Sequence, residues 1–390
     1  MTGDKSPADK PRVLLVDPAV FTGPYDAALT GGLQESGISA AWATRSNKAE
    51  LLNEIPTDVV YPIYYPGIEQ SAKQAGFPVK IRKGLSHVAS TQRLIRLCRR
   101  EMFNVLHFQW LVLSVVDLLA IKKIRSRMPI VLTVHDSTPF NGNPTSRAQR
   151  YGYKTALNAV DHLIVHTRRA KDALVADGVP SKDITVIPHG PLPLPAQTNV
   201  RSFPHKSSRW TYVLFGRLQD YKGLDTLVDA LATMDPIQRA RFRVIVAGEP
   251  FMDTDALRAR AEHLGVADTL EWRTKRLSHQ EMAELFEEAD SFIFPYKKID
   301  ASGVYYTVKG YKKWIIASDL GAFSDEISDD VGALFPAGDQ AALAKQLADG
   351  VGRKPAGDAG VGSSWSEIGK MHANLYRDLL QRRAAEGQSA

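Results

Sequence analysis

The sequence predicts an α/β protein of two Rossmann-like, doubly wound parallel-sheet domains. Three observations carry this. Short apolar runs alternate with stretches of helical period from Arg12 onward. The alternation stops in the proline-rich stretch Pro191 to Arg209 and then starts again, so that stretch reads as an interdomain linker. A chain of 390 residues, 44% of them hydrophobic, can bury a core in each of two domains.

The first strand is Arg12 to Val16 (RVLLV), apolar enough to be buried on both faces, and it ends at Asp17-Pro18. A loop with Gly23 and Pro24 follows, then a helix from Tyr25 to Ser36 stopped by Gly37. Strand, glycine-bearing turn and helix open a doubly wound domain. Val105 to Phe108, Ile130 to Val134, His162 to His166 and Thr185 to Ile187 are the later strands of this half. The second half begins with the strand Trp210 to Phe215 and the helix Leu224 to Met234. Phe242 to Ala247, Thr269 to Trp272, Ser291 to Phe294 and Trp314 to Ala317 are further strands. Asp255 to Leu264 and Ser278 to Ala289 are helices, the latter opened by a Ser278–Glu281 capping box. The polar ends, residues 1–10 and 383–390, have no apolar period and are expected to be poorly tied down.

Ligands of such sheets bind beyond the carboxyl ends of the strands, so the residues there hold the function. Gly216-Arg217 and Lys222-Gly223 follow the first strand of the second half. Gly216 permits a sharp turn, and two cations beside the helix start near Leu224 suit a diphosphate; a solvated basic loop is the plain alternative. Asp300, Ser302, Gly303 and Val304 follow the strand that ends at Pro295-Tyr296. Amides of Gly303 and Val304 can hold phosphate oxygens and Asp300 can accept from sugar hydroxyls, although helix capping is the commoner use of Asp and Ser at such places. In the first half, Gly23 lets a backbone N–H approach a phosphate, and His135 can hydrogen-bond a sugar hydroxyl. His107, Gln109 and Trp110 end another strand and are candidates for an acceptor pocket, with core packing as the alternative for Trp110.

The net charge is +6, and it is unevenly spread. Between Ala72 and Arg100 lie Lys73, Lys80, Arg82, Lys83, Arg93, Arg96, Arg99 and Arg100 with no acidic residue, and Lys122, Lys123, Arg125 and Arg127 come later. Such clusters attract phosphates of lipid or nucleic acid, but no recognisable nucleic-acid module is present. On a helix, Arg93, Arg96 and Arg100 share one face and Leu94, Leu97 and Cys98 another, which points to docking on an anionic membrane through segment 73–100. The longest apolar run, Trp110 to Ile121, is broken by Asp117 and too short to span a bilayer, and the N-terminus lacks a signal-peptide pattern. With a single cysteine, Cys98, the expected location is cytoplasmic, peripheral to the inner face of the membrane. The histidines show no metal spacing, so no metal or other cofactor is expected.

Taken in order, VLTVHD (Val131 to Asp136), VIPHG (Val186 to Gly190), GRLQDYKGLDTLVDA (Gly216 to Ala230), AGE (Ala247 to Glu249), ADSFIFPY (Ala289 to Tyr296) and IASDLGAF (Ile316 to Phe323) resemble glycosyltransferase family 4, the glycosyl transferases group 1. SWSEIGKMHANLY (Ser364 to Tyr376) resembles that family's terminal helices, which cross back to the first domain. The resemblance implies a GT-B fold with two domains facing a cleft: 1–192 for the acceptor, joined by a closing helix 372–390, and 193–371 for the donor. It implies retention of anomeric configuration and a nucleotide-diphosphate sugar, UDP- or GDP-linked, as donor substrate. Arg217 and Lys222 match the pair that neutralises the diphosphate, His135 the histidine beside the donor sugar, and Gly303 and Val304 the phosphate-binding helix start. Gly23 lies in the loop that meets the phosphates, and Arg273 to Arg276 where the base is contacted. Asp300 stands where the first glutamate of a Glu-x7-Glu pair is usual.

The sequence departs from that pattern at Val308, where the second, ribose-binding glutamate belongs. Ribose binding differs, the donor is unusual, or activity is weakened. Thr22-Gly23-Pro24-Tyr25 also replaces the usual paired glycines. The implied reaction moves a hexose to an acceptor hydroxyl, with a lipid-linked saccharide of bacterial polysaccharide assembly as acceptor. A sugar-nucleotide epimerase on the same fold needs paired carboxylates that the sequence does not show. A non-catalytic partner subunit is favoured by Val308 and opposed by Arg217, Lys222, His135 and Asp300.

Overall fold

A computed structural model describes residues 10–45, 55–68, 77–136, 152–192, 194, 208–356 and 363–388. The chain divides into two compact units, the first built from the chain up to Gly190 and from Ser363 onward, the second from Pro191–Gly362. Most of the expected linker lies outside the described residues.

The first unit holds a seven-stranded sheet: β1 (Arg12–Asp17), β2 (Ser39–Arg45), β3 (Val60–Tyr64), β4 (Val105–Phe108), β5 (Ile130–Val134), β6 (His162–Val165) and β7 (Ile184–Val186). Its spatial order is β3-β2-β1-β4-β5-β6-β7, with every pairing parallel. The order reverses between β1 and β4, which makes their carboxyl ends the switch point. The helices are α1 (Gly23–Glu35), α2 (Phe77–Arg100), α3 (Ser114–Ile124), α4 (Tyr153–Leu157) and α5 (Arg168–Ala176).

The second unit holds β8 (Trp210–Phe215), β9 (Phe242–Ala247), β10 (Leu270–Arg273), β11 (Ser291–Phe294), β12 (Trp314–Ser318) and β13 (Gly332–Phe335), in the order β10-β9-β8-β11-β12-β13, again all parallel. Its switch point lies between β8 and β11. Helices α6 (Leu224–Thr233), α7 (Pro236–Arg239), α8 (Thr254–His263), α9 (His279–Glu288), α10 (Gly303–Lys309), α11 (Gly321–Glu326) and α12 (Gln340–Asp349) flank it. The Ser278–Glu281 capping box at the start of α9 is formed in both directions.

The last helix, α13 (Trp365–Gln388), belongs to the first unit. It starts at Trp365 rather than 372, and it continues through 383–388, where its residues are largely exposed. Its seat on α1 is a backbone-to-backbone contact. A Cβ on Gly32 would lie 2.1 Å from the Trp365 carbonyl oxygen, and one on Gly369 would lie 2.0 Å from the Gly32 oxygen. Two glycines facing each other let these helices touch where any side chain would hold them apart. The contact brings Tyr376 to His107 and Trp365 onto Tyr25.

Three strands escape the sequence pattern. β2 (SAAWATR) is alanine-rich and lacks the β-branched signature. β3 carries Pro62, which argues against a strand, yet β3 is an edge strand where a missing N–H costs little. β13 is short and sits at the opposite edge of its sheet, with Gly332 against the Ile315 carbonyl, where a Cβ would come within 2.3 Å.

Candidate functional site

In the second unit, β8 runs into Gly216 at φ 118°, a conformation open to glycine. A side chain there would also collide with Lys222 Nζ at 2.8 Å and Val304 at 2.9 Å. Gly223, at φ 70°, abuts the Pro295 carbonyl at the end of β11, 1.8 Å from where its Cβ would be. The two glycines press the loop after β8 against the end of β11, and this seats Lys222.

Lys222 is 3% exposed. Its ammonium donates to the Phe215 carbonyl (3.2 Å) and the Tyr296 hydroxyl (2.6 Å) and lies 4.7 Å from the Tyr296 ring centre. No carboxylate pairs with it among the described residues. Burial, set against nearby Tyr221 and reinforced by Arg217, lowers its pKa to about 8. A buried ammonium with one donor unspent and no counter-ion among the described residues fits an anionic ligand. Arg217 is exposed nearby, its guanidinium over the Phe251 ring. Tyr296, which sequence reasoning did not single out, holds the ammonium in place. Its position right after β11 is the signal that marks it.

Ser302 is buried and caps α10, its hydroxyl accepting from the Tyr305 amide (3.3 Å). It is also within hydrogen-bond reach of Tyr296, so the cap joins Lys222. Gly303 is exposed and Val304 partly so, at the first turn of α10. Asp300 is half-buried, and its carbonyl accepts from Ala322 (2.7 Å). The loop Arg273 to Arg276 is tied down by Arg273, which bonds Glu271 and Glu288.

Val308 is not a surface position that has lost its glutamate. It is 1% exposed, inside the core cluster with Phe294 and Phe323. The polar work beside it passes to Glu326, which accepts from Tyr306 (2.9 Å) and pairs with Lys309 (2.6 Å). Val308→Glu is therefore expected to restore nothing. Neutralising a carboxyl of free pKa about 4.3 at pH 7 costs about 3–4 kcal/mol. A thermal unfolding scan should show a fall of several degrees, and unchanged stability with gained nucleotide affinity would refute this placement.

In the first unit the switch point is built around Asp17, fully buried at the end of β1. Its carboxylate accepts from the amides of Ala19 and Thr22 (both 3.2 Å), and burial raises its pKa. These loop amides therefore point inward. Gly23 is the buried first residue of α1, and buried Asp26 stands in the same first turn. The Asp17 and Asp26 side chains are hydrogen-bonded to each other at this helix start.

His107 and Gln109 also depart from expectation. Both are 0% exposed, so neither lines an acceptor pocket. The α13 helix covers His107, whose Nδ1 meets the Tyr376 hydroxyl at 2.7 Å, while its Nε2 meets Thr133 Oγ1 at 2.8 Å. Trp110 is half-buried. Its Nε1–H donates to Thr22 (3.1 Å) and its ring stacks on His135 at 4.9 Å and 13°. His135 is half-buried, and both ring nitrogens are already engaged, Nε2 with Gln109 (3.1 Å) and Nδ1 with His166 Nε2 (3.1 Å). The expected sugar hydrogen bond finds no unengaged ring atom. What His135 offers outward is its ring beside Trp110. Burial and the neighbouring imidazoles of His166, His189 and His107 hold its pKa well below the ordinary range.

Two family models match the chain: Glycosyltransferase Family 4 over residues 27–190 and Glycosyl transferases group 1 over residues 209–351. No curated protein sequence matches it significantly. Among solved structures, it is similar to the apo lipopolysaccharide outer core galactosyltransferase WaaB, with 14% identity, TM-score 0.61, and coverage of 96% of this chain and 99% of that one. HepE from Anabaena in complex with UDP and glucose gives 15%, 0.62, 97% and 99%. The catalytic domain of starch synthase IV from Arabidopsis thaliana, bound to ADP and acarbose, gives 13%, 0.63, 95% and 99%. These likenesses show the fold, and the two family models together span most of both sheets. The chain belongs to glycosyltransferase family 4, the glycosyl transferases group 1, and is a glycosyltransferase enzyme of the GT-B fold class.

Proposed function

We propose that the enzyme moves a hexose from a nucleotide-diphosphate sugar to an acceptor hydroxyl with retention. The observation that carries the donor class is Lys222, a buried ammonium at a switch point with no carboxylate partner among the described residues. The C1–O bond of the donor breaks with its electron pair passing to the diphosphate. The acceptor oxygen bonds to C1, and its proton goes to a leaving-phosphate oxygen. Lys222, Arg217 and the first amides of α10 stabilise the charge that develops. Asp300 binds sugar hydroxyls. No metal or other cofactor takes part. UDP and GDP are the leading bases; UDP is also the nucleotide in the HepE complex. The experiment is a calorimetric panel of UDP, GDP, ADP and dTDP.

The acceptor is a lipid-linked saccharide of bacterial polysaccharide assembly, reached from the inner membrane face. Two neighbouring helices of the first unit support this. Along α2, Ile81 (49% exposed), Leu85 (68%) and Val88 (43%) stand one above another, and Arg96 and Arg99 continue the same stripe. Helix α3, which packs beside α2, exposes Val115 (42%) and Leu119 (54%), followed by Lys122 and Lys123. Apolar residues with cations behind them suit an anionic bilayer. No helix among the described residues is long and apolar enough to cross one. The protein is expected to float with phosphatidylglycerol vesicles and not with phosphatidylcholine ones, and Leu85→Glu should abolish it. Equal flotation with both, or none with either, rejects the membrane reading.

A further inference from the structure

His135, Gln109 and His107 are joined in a chain whose direction is set at one end, by His166. His166 Nδ1 lies 3.0 Å from the Ile187 carbonyl, which only accepts, so Nδ1 carries the proton. In a neutral His166, Nε2 is then an acceptor, and His135 must donate to it through Nδ1–H. That leaves a lone pair on His135 Nε2, facing Gln109. The Gln109 amide lies 3.1 Å from His135 Nε2 through Oε1 and 3.4 Å from His107 Nε2 through its nitrogen. This placement opposes an acceptor to the His135 lone pair. A half-turn of the amide costs no contact and gives each group its proton. Gln109 then donates to His135 and accepts from His107 Nε2–H, which also serves Thr133, and His107 Nδ1 accepts from the Tyr376 hydroxyl.

We propose that Gln109 is a positioning residue for transfer: its amide donates to His135 Nε2 and so holds His135 as the neutral Nδ1–H ring stacked on Trp110. This rests on the reading of His135 as the histidine beside the transferred sugar. Breaking the C1–O bond leaves positive charge on the anomeric carbon. An imidazolium there would oppose it, and a neutral ring does not. The titratable groups that face His135 are Tyr25 from α1, His107 from β4, His166 at the end of β6 and His189 after β7, with Asp136 next in the chain. Burial holds both His135 and His166 below their ordinary pKa, His166 at about 4, which keeps the chain neutral near pH 7.

The test uses the full chain labelled with ¹⁵N-histidine. Long-range ¹H–¹⁵N spectra at pH 7 should show His135 and His166 as Nδ1–H and His107 as Nε2–H. An Nε2–H or doubly protonated His135 overturns the proposal. Gln109→Glu places an acceptor where a donor is required, so His135 should become doubly protonated at pH 7. Turnover of UDP-glucose, GDP-mannose or ADP-glucose, read as released nucleotide, should fall about 100-fold and recover as pH rises. A doubly protonated His135 with unchanged turnover refutes the positioning role. If Gln109→Glu does not fold, the wild-type spectrum still decides the tautomers. The expected spectrum with none of the three nucleotides turned over counts against the donor assignment, not against the imidazole chain.

Discussion

Lys222→Met should abolish nucleotide binding without stabilising the protein. Two opposing magnitudes decide this. A pKa lowered from 10.5 to about 8 means that the fold disfavours the Lys222 proton by about 3 kcal/mol at neutral pH. Methionine removes that penalty. It gives up hydrogen bonds from a charged donor to the Phe215 carbonyl and the Tyr296 hydroxyl, worth about 1.5 kcal/mol or more each. The loss offsets the gain. Function has no such offset, because the ammonium is a donor aimed at leaving-group charge, and its loss should cut kcat/KM by about 10²–10³. In the calorimetric panel, one nucleoside diphosphate should bind the wild type and not Lys222→Met or Lys222→Ala. Retained affinity in both variants would sink the donor-site reading.

The same pKa gives a pH signature. Between pH 8 and 10.5 the unfolded chain carries a proton at Lys222 that the folded chain has shed, so this group's contribution to stability rises with pH across that window. Diphosphate affinity should fall over the same range, by up to about tenfold per unit above pH 8. Stability and affinity changing in opposite directions between pH 8 and 10 identify a buried lysine. A surface lysine would show neither.

The strands legible in the sequence are those buried on both faces. Val105–Phe108, Ile130–Val134, Trp210–Phe215, Phe242–Ala247 and Ser291–Phe294 each carry a single polar residue in an otherwise apolar run, and their bounds are the expected ones. The edge strands β3 and β13 were not legible because half-solvated strands tolerate proline and glycine. The loop of Arg217 and Lys222 could be read because a parallel sheet exposes its strand ends whatever covers its faces. His107 and Gln109 also lie at the end of a strand, and there the same rule misleads. His107 is buried against Tyr376 on α13, more than half the chain away, and no local pattern reports that. Val308 shows the opposite case. A missing glutamate is visible in the sequence, but only the core around Phe294 and Phe323 shows that the side chain at 308 is enclosed.

Gly31→Ala and Gly32→Ala, neighbours on α1, should change stability in opposite directions. A Cβ on Gly31 has nothing within 4 Å, and the residue is exposed in mid-helix. Alanine there restricts the unfolded chain and should stabilise by about 0.5–1 kcal/mol. A Cβ on Gly32 falls 2.1 Å from the Trp365 carbonyl oxygen, which is helix backbone and cannot rotate aside. The α13 helix must back away by more than an ångström. That draws Tyr376 from His107, the Arg377 guanidinium from the Ser36 carbonyl (3.2 Å), and Trp365 from Tyr25. Overpacking of this rigid kind should cost about 3 kcal/mol or more. Gly369→Ala should behave as Gly32→Ala does, since its Cβ falls 2.0 Å from the Gly32 oxygen. Urea unfolding of the three variants measures this, and a Gly32→Ala variant as stable as Gly31→Ala would refute the helix contact. The contact also bears on the imidazole chain, because the tyrosine that terminates it stands on α13. Gly32→Ala should therefore alter the His107 signal in the ¹⁵N spectrum, while Gly31→Ala leaves it in place.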